Sequence, residues 1–254
     1  MMSYLQVENL MKQYGKGEAA FMAVKGMSFQ VRQGEFVAVV GESGSGKSTL
    51  LSMMGALNTP TKGRYVVDGI DVYSLSLDRR AKFRMEFLGF IFQSFHLIPY
   101  LNVLENVMLP LAISKVKTRE KRDMARVALR HVGLSDKEKR LPNEISGGEQ
   151  ERVAIARAVV NNPTILLADE PTGNLDTKTS REVMDLFHKL NEDGITTVMV
   201  THNVDCAREA HRTLCVADGL IEEQNCSPKI VEYPFRLKRG GDIAYYHRDK
   251  EVAP

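Results

Sequence analysis

The segment Gly41 to Thr49, GESGSGKST, constrains this chain more than any other. It fits the phosphate-binding pattern G-x-x-x-x-G-K-[ST] through Gly41, Gly46, Lys47 and Ser48. Upstream, Phe36 to Val40 (FVAVV) is a β-branched run that predicts a buried strand; downstream, Thr49 to Leu57 predicts a helix. Gly41, Gly44 and Gly46 let the backbone curl until successive N–H groups converge. The helix adds its unpaired N-terminal N–H groups and the positive end of its dipole. Phosphate oxygens fit there. Lys47 supplies charge for β- and γ-phosphates, Ser48 a hydroxyl of the kind that ligates Mg²⁺, and Thr49 an extra donor. Glu42, Ser43 and Ser45 complete the loop as candidate contacts. A Gly/Ser-rich turn without a ligand is the alternative reading.

Composition narrows the class. A chain of 254 residues holds one or two domains, and 43% hydrophobic with 26% charged residues is ordinary for a soluble globular protein. A net charge of +2 carries no argument for nucleic acid, and no nucleic-acid partner is expected. Cys206, Cys215 and Cys226 form no C-x-x-C pair, which argues against a disulfide framework or zinc site and fits a reducing cytosol. No apolar run approaches the ~18 to 20 residues needed to span a bilayer, so any membrane role is expected to come through a partner.

Around the loop, the chain alternates strand and helix patterns. Tyr4 to Leu10 and Met27 to Val31 alternate as half-exposed antiparallel strands, with Tyr14 in a Gly-containing loop between them. That ring could stack on a nucleobase or be a plain core or surface tyrosine. Arg64 to Val67 with Asp68-Gly69 predicts a hairpin arm, and Leu75 to Met85 a helix whose Arg79, Arg80, Lys82 and Arg84 form a solvated face. Phe87 to Phe92 predicts a buried strand with Gln93 at its carboxyl end, where ligands bind in open α/β sheets. Leu101 to about Leu134 turns helical: Met124, Val127, Ala128, His131 and Val132 form one apolar stripe, His131 as a packing residue, while Arg122, Arg126 and Arg130 face elsewhere. In ISGGEQERVAIARA, Ser146 reads as an N-cap and Gly147 and Gly148 as exposed backbone N–H groups, a second helix start suited to an anion or a simple capped helix.

Ile165 to Ala168 is a short apolar strand ending in Asp169-Glu170-Pro171. Paired carboxylates there can divide labour, Asp169 holding Mg²⁺ and Glu170 orienting or deprotonating the attacking water. Asn174-Leu175-Asp176 caps a helix with the stripe Val183, Leu186, Phe187 and Leu190. Ile195 to Thr201 is a further strand ending at His202, whose imidazole could contact a γ-phosphate or the catalytic water. Arg212 to Ala217 and Leu220 to Glu223 complete a hairpin. Beyond Ser227 the chain loses periodicity; Arg236, Lys238, Arg239, Gly240-Gly241 and Tyr245-Tyr246 read as a loosely attached extension, or as a partner or anionic-lipid contact.

Taken in order, these segments resemble the ATPase subunit of ABC transporters: GESGSGKST as Walker A, Gln93 as the Q-loop, ISGGEQ as the signature, ILLADEP as Walker B, Asn174-Leu175-Asp176 as the D-loop and His202 as the switch histidine. The resemblance spans residues 4 to about 225. The signature departs from the usual LSGGQ pattern with Ile145 for Leu and Glu149 for Gln. GFIFQSFHLIPYLNVLENVMLPL, ARAVVNNPTILLADEPTGNLD and LNTPTKG resemble the MacB, LolD and FtsE group.

The resemblance implies an α/β P-loop NTPase with a mainly parallel core sheet, an N-terminal antiparallel β-subdomain and a helical subdomain at about 95–162 inserted in a domain of residues 1–227. It implies ATP and Mg²⁺ as ligands, Lys47, Glu170 and His202 as catalytic groups, and Ser48, Gln93 and Asp169 around the metal. It implies a head-to-tail homodimer with each ATP between the Walker A loop of one copy and Ser146, Gly147, Gly148 and Glu149 of the other, and Tyr14 stacked on adenine. The surface from Gln93 to Leu101 would receive a multi-span permease of MacB, LolC or FtsX type, placing the chain at the cytoplasmic face of the cell membrane. Export, lipoprotein release and transmembrane mechanical signalling all occur in this group; a division regulator of FtsE type or a soluble ABC ATPase are the alternatives.

Overall fold

The computed structural model describes residues 3–222. Glu223, Cys226 and the extension from residue 228 lie outside the described residues. The chain begins with β1 (Leu5–Tyr14), β2 (Phe21–Val31), β3 (Phe36–Val40) and α1 (Lys47–Met54). Next come β4 (Lys62–Val67), β5 (Ile70–Asp71), α2 (Leu77–Phe87) and β6 (Leu88–Ile91). A helical stretch holds α3 (Val103–Met108), α4 (Thr118–His131) and α5 (Gly147–Val159). The chain then returns through β7 (Ile165–Asp169), α6 (Thr177–Glu192), β8 (Thr196–Thr201), α7 (Val204–Arg208), β9 (Arg212–Ala217) and β10 (Leu220–Glu222).

Two sheets result. Strands β2-β1-β4-β5 pair antiparallel, and β10-β9-β3-β8-β7-β6 form a second sheet in which all neighbours but β10 and β9 run parallel. The period-2 alternation of each parallel strand divides it between two cores. Val37 and Val39 of β3, Leu167 of β7 and Val200 of β8 face a core shared with the antiparallel sheet and α1. Phe36, Ala38, Leu166 and Met199 face the other, built from α3, α4, α5 and α6. With helices on one side and a second sheet on the other, the parallel strands can be apolar throughout, as FVAVV, ILLA and VMV are.

The structure departs locally from expectation. Tyr14 is the last residue of β1, paired with Phe21, rather than part of a loop. The first helix starts at Lys47, inside the phosphate-binding motif, and ends at Met54. On α4 the buried stripe is Ala125, Ala128 and Leu129, continued by Val132, and His131 is exposed. A helix turns 100° per residue, so the buried arc centres one position away from the expected one and carries His131 into solvent. On α2, Arg79 and Lys82 are exposed, but Arg80 lies over the Tyr73 ring at 4.9 Å and Arg84 donates to the Ala56 carbonyl at 3.1 Å. Arg84 thus meets the carbonyl end of α1, where helix-dipole charge favours a cation, and Arg80 reaches that end only through Tyr73, whose hydroxyl donates to the Met53 carbonyl.

Candidate functional site

The parallel strands deliver their carboxyl ends to one edge: β3 to Gly41, β6 to Gln93, β7 to Asp169 and β8 to His202. Ligand crevices of open α/β sheets form on this edge. Glycine is required at Gly41, where a Cβ would stand 2.1 Å from the Val216 carbonyl oxygen of β9. At Gly46 the backbone is left-handed (φ 101°) and a Cβ would lie 2.3 Å from the Ala23 carbonyl oxygen. Lys47 is buried, and its Nζ donates to the carbonyls of Gly41 and Glu42 at 2.7 Å each, so the ammonium sits inside the curl of the loop. Ser45 is also buried, with an Oγ that has no hydrogen-bond partner. Glu42, Ser43, Gly44 and Ser48 are exposed and Thr49 half-buried.

Ser48 Oγ donates to Asp169 Oδ1 at 3.2 Å, joining the start of α1 to the end of β7. Burial pushes the Asp169 carboxyl up from its ordinary range; the Ser48 hydrogen bond opposes this, Glu170 adds to it, and Lys47 opposes it more weakly. A hydroxyl and a carboxylate converging from two elements are hard oxygen donors of the kind Mg²⁺ takes. Glu170 follows in a left-handed conformation (φ 51°) rare for a non-glycine residue. Its N–H donates to the Val200 carbonyl at 2.9 Å, and its side chain turns toward β8. There Oε2 accepts from the His202 N–H at 3.2 Å and Oε1 lies 2.8 Å from His202 Nδ1.

The loop after β6 is held from two sides. Arg157 of α5 donates through both terminal nitrogens to the carbonyls of Phe95 and His96, at 2.5 and 2.6 Å, fixing two successive left-handed residues. Asn106 of α3, fully buried, accepts from the Ile98 N–H and donates to the carbonyls of Ile98, Leu101 and Asn102. Asn174 Nδ2 donates to the Gln93 carbonyl at 2.9 Å, and both the Gln93 amide and Glu170 flank Gly173. Sequence reasoning missed Arg157 and Asn106; the available signal was a polar residue at a position where its helix is otherwise apolar.

Helix α5 begins as expected. Ser146 and Glu149 form a capping box, each side chain accepting from the other's N–H. The Ser146 N–H, with help from Lys137 and Arg152, holds the Glu149 carboxyl below its usual range. Ser146 and Gly147 are exposed, but Gly148 is buried. Tyr14 has partners away from the phosphate loop: its hydroxyl accepts from Asn58 at 2.5 Å, beyond the far end of α1, and the Lys12 ammonium lies 5.0 Å over its ring.

A Gly-rich loop between a parallel strand and a helix, with a serine at the helix start tied to an acid on a neighbouring strand, defines the nucleoside-triphosphate-hydrolysing α/β class. Comparison with known proteins narrows this. The ABC transporter family model matches residues 24–173. An uncharacterized ABC transporter ATP-binding protein of Thermotoga maritima is 46% identical over 87% of this chain and 95% of its own length. The macrolide export ATP-binding/permease protein MacB of Syntrophobacter fumaroxidans is 44% identical over 88% of this chain, which spans 32% of that longer protein. A dimeric post-hydrolysis structure of the ATP-binding cassette MJ0796, bound to ADP and Pi, superposes with a TM-score of 0.79 at 43% identity, covering 86% of this chain and 96% of that one. The chain belongs to the ABC transporter family and is one of its ATP-hydrolysing cassettes. Among the described residues no helix is long and apolar enough to cross a membrane.

Proposed function

We propose that this cassette is the motor subunit of a membrane complex of MacB or LolD type, two copies closing head to tail around two ATP molecules. The observation that carries the reading is the pair of contacts on adjacent strand ends, Ser48 with Asp169 and Glu170 with His202. Lys47 and the loop N–H groups stabilise phosphate charge as it shifts toward the leaving group. Ser48, Asp169 and Gln93 would hold Mg²⁺, which when bound neutralises charge on the β- and γ-phosphates. Glu170, fixed by His202, orients and deprotonates the attacking water, and His202 reports on the γ-phosphate. Tyr14 takes the adenine once Lys12 leaves its ring or on the opposite face.

The start of α5, exposed at Ser146 and Gly147, supplies the second anion site, with Ser146, Gly147, Gly148 and Glu149 meeting the nucleotide of the other copy. ATP charge favours the closed pair and its hydrolysis the open one. The loop from Gln93 to Leu101, braced by Arg157 and Asn106, passes this motion to a multi-span partner at the cytoplasmic face of the cell membrane, driving export, lipoprotein release or a mechanical signal.

The test combines two measurements. Glu170→Gln protein with ATP and Mg²⁺ is expected to run as a dimer on a sizing column, and Ser146→Arg in that background as a monomer. Pull-down of the native chain from solubilised membranes is expected to bring a multi-span subunit that changes its ATPase rate. A monomer in every nucleotide state removes the motor reading; recovery without any membrane subunit favours a soluble ATPase.

A further inference from the structure

The second glycine of the signature sits against its own chain. A Cβ on buried Gly148 would stand 2.2 Å from Thr179 Cγ2 of α6, well inside contact distance, with Thr179 Cβ and Oγ1 next at 3.5 and 3.6 Å. The Thr179 hydroxyl in turn donates to Asp176 Oδ2 at 2.6 Å, while Asp176 Oδ1 caps α6 by accepting from the N–H groups of Lys178 and Thr179 at 3.0 Å each. Further along both helices, Arg152 and Glu182 close the same seam with an ion pair at 3.2 Å. A methyl group pressed on a residue without a Cβ leaves little slack, because close-packed contacts transmit displacement rather than absorb it.

We propose that Thr179 is a positioning residue for ATP hydrolysis. Its methyl bears on Gly148 and its hydroxyl holds Asp176, so the start of α5 and the turn Asn174 to Asp176 move as one body. Gly148 is then a glycine because of a neighbour in its own chain, whatever the approach of a phosphate demands. The proposal rests on the reading that the start of α5 meets the nucleotide of the other copy.

The test compares Gly148→Ala alone, with Thr179→Ser, and with Thr179→Val, reading kcat and KM for ATP, ATP-driven dimerisation in the Glu170→Gln background, and thermal melting. Gly148→Ala is expected to lower kcat by about tenfold or more, since misplacement of this size in a catalytic assembly costs up to about 10²-fold. ATP binding to the monomer should change by less than about threefold, because uniform binding is untouched. Thr179→Ser removes the obstructing methyl and keeps the hydroxyl, so it restores kcat and dimerisation; Thr179→Val keeps the methyl and restores neither. If serine and valine fail alike, or Gly148→Ala turns over like the parent, the proposal is overturned. Should Gly148→Ala not fold, the two double variants decide: a folded, active serine variant beside an unfolded valine variant supports the contact, and two unfolded variants refute it. Ser146→Arg does not touch Thr179 and reads the underlying dimer proposal by itself.

Discussion

His202 and Glu170 form a two-point contact, the carboxylate accepting the backbone N–H of His202 through one oxygen and meeting its Nδ1 at 2.8 Å through the other. The Glu170 side chain is 12% exposed and that of His202 64%, so the acid is shielded while the ring reaches solvent. A neutral imidazole with its proton on Nδ1 presents a lone pair at Nε2, whereas a ring protonated on both nitrogens can donate from Nε2 to a phosphate oxygen. Each carboxylate oxygen keeps a second lone pair for water.

Glu170→Gln is expected to retain ATP binding and to slow turnover by about 10² to 10⁴-fold, the usual worth of a positioned base. Because His202 meets the same carboxylate, adding His202→Ala to that variant should cost less than about a further tenfold. Single-turnover hydrolysis checks this; fully multiplicative losses would mean two independent groups.

Two loop glycines should respond differently to alanine. Gly44 is left-handed (φ 81°) with open space around its Cβ position, so Gly44→Ala should cost about 1 to 2 kcal/mol of conformational strain. Gly46→Ala adds a contact of 2.3 Å with the Ala23 backbone and should cost clearly more, with loss of ATP binding. Urea unfolding and nucleotide titration report both; equal costs would contradict the packing.

Glu151 of α5 is 1% exposed and its Oε1 has no hydrogen-bond partner. Burial pushes its carboxyl up to about 8, the charge of Arg157 pulling the other way. The folded chain therefore holds this proton more tightly than the unfolded chain. Its stability contribution is full below the ordinary carboxylate range and is lost as pH rises through about 8. Within that window the slope is about 1.4 kcal/mol per pH unit. Glu151→Gln removes the dependence, so its melting temperature should gain on the parent between about pH 5 and 8 and then level off. A pH-independent difference would place Glu151 in contact with water or a partner after all.

Arg157→Lys keeps the charge but loses the planar fork that reaches Phe95 and His96 together. Losing one charge-assisted hydrogen bond beneath the loop should cost about 1.5 to 3 kcal/mol in urea unfolding. A change within about 0.5 kcal/mol would make Arg157 an ordinary surface residue.

Much of the fold is legible locally. FVAVV reads as a buried strand and is one, Asp218-Gly219 turns β9 into β10, Ser146 caps α5 and Asp176 caps α6. Where the structure departs from its sequence pattern the cause is shared: a segment read by itself leaves Tyr14 in a loop, His131 in the core and Arg80 and Arg84 in solvent, whereas Phe21, the core among α3 to α6, Tyr73 and Ala56 decide where each side chain goes.

By itself the sequence determined what a few successive residues can do: where the backbone must be glycine, which faces are apolar, which helix starts accept a cap, and which motifs stand in which order. Tertiary structure alone decided which of these meet. Ser48 reaches Asp169 across 121 residues, and Gly148 meets Thr179, only because the strands assemble in the order β9-β3-β8-β7-β6 with α5 and α6 side by side. Periodicity and turn chemistry act within a few residues of chain, but these contacts depend on the packing of two cores against a shared sheet, and no short segment carries that information.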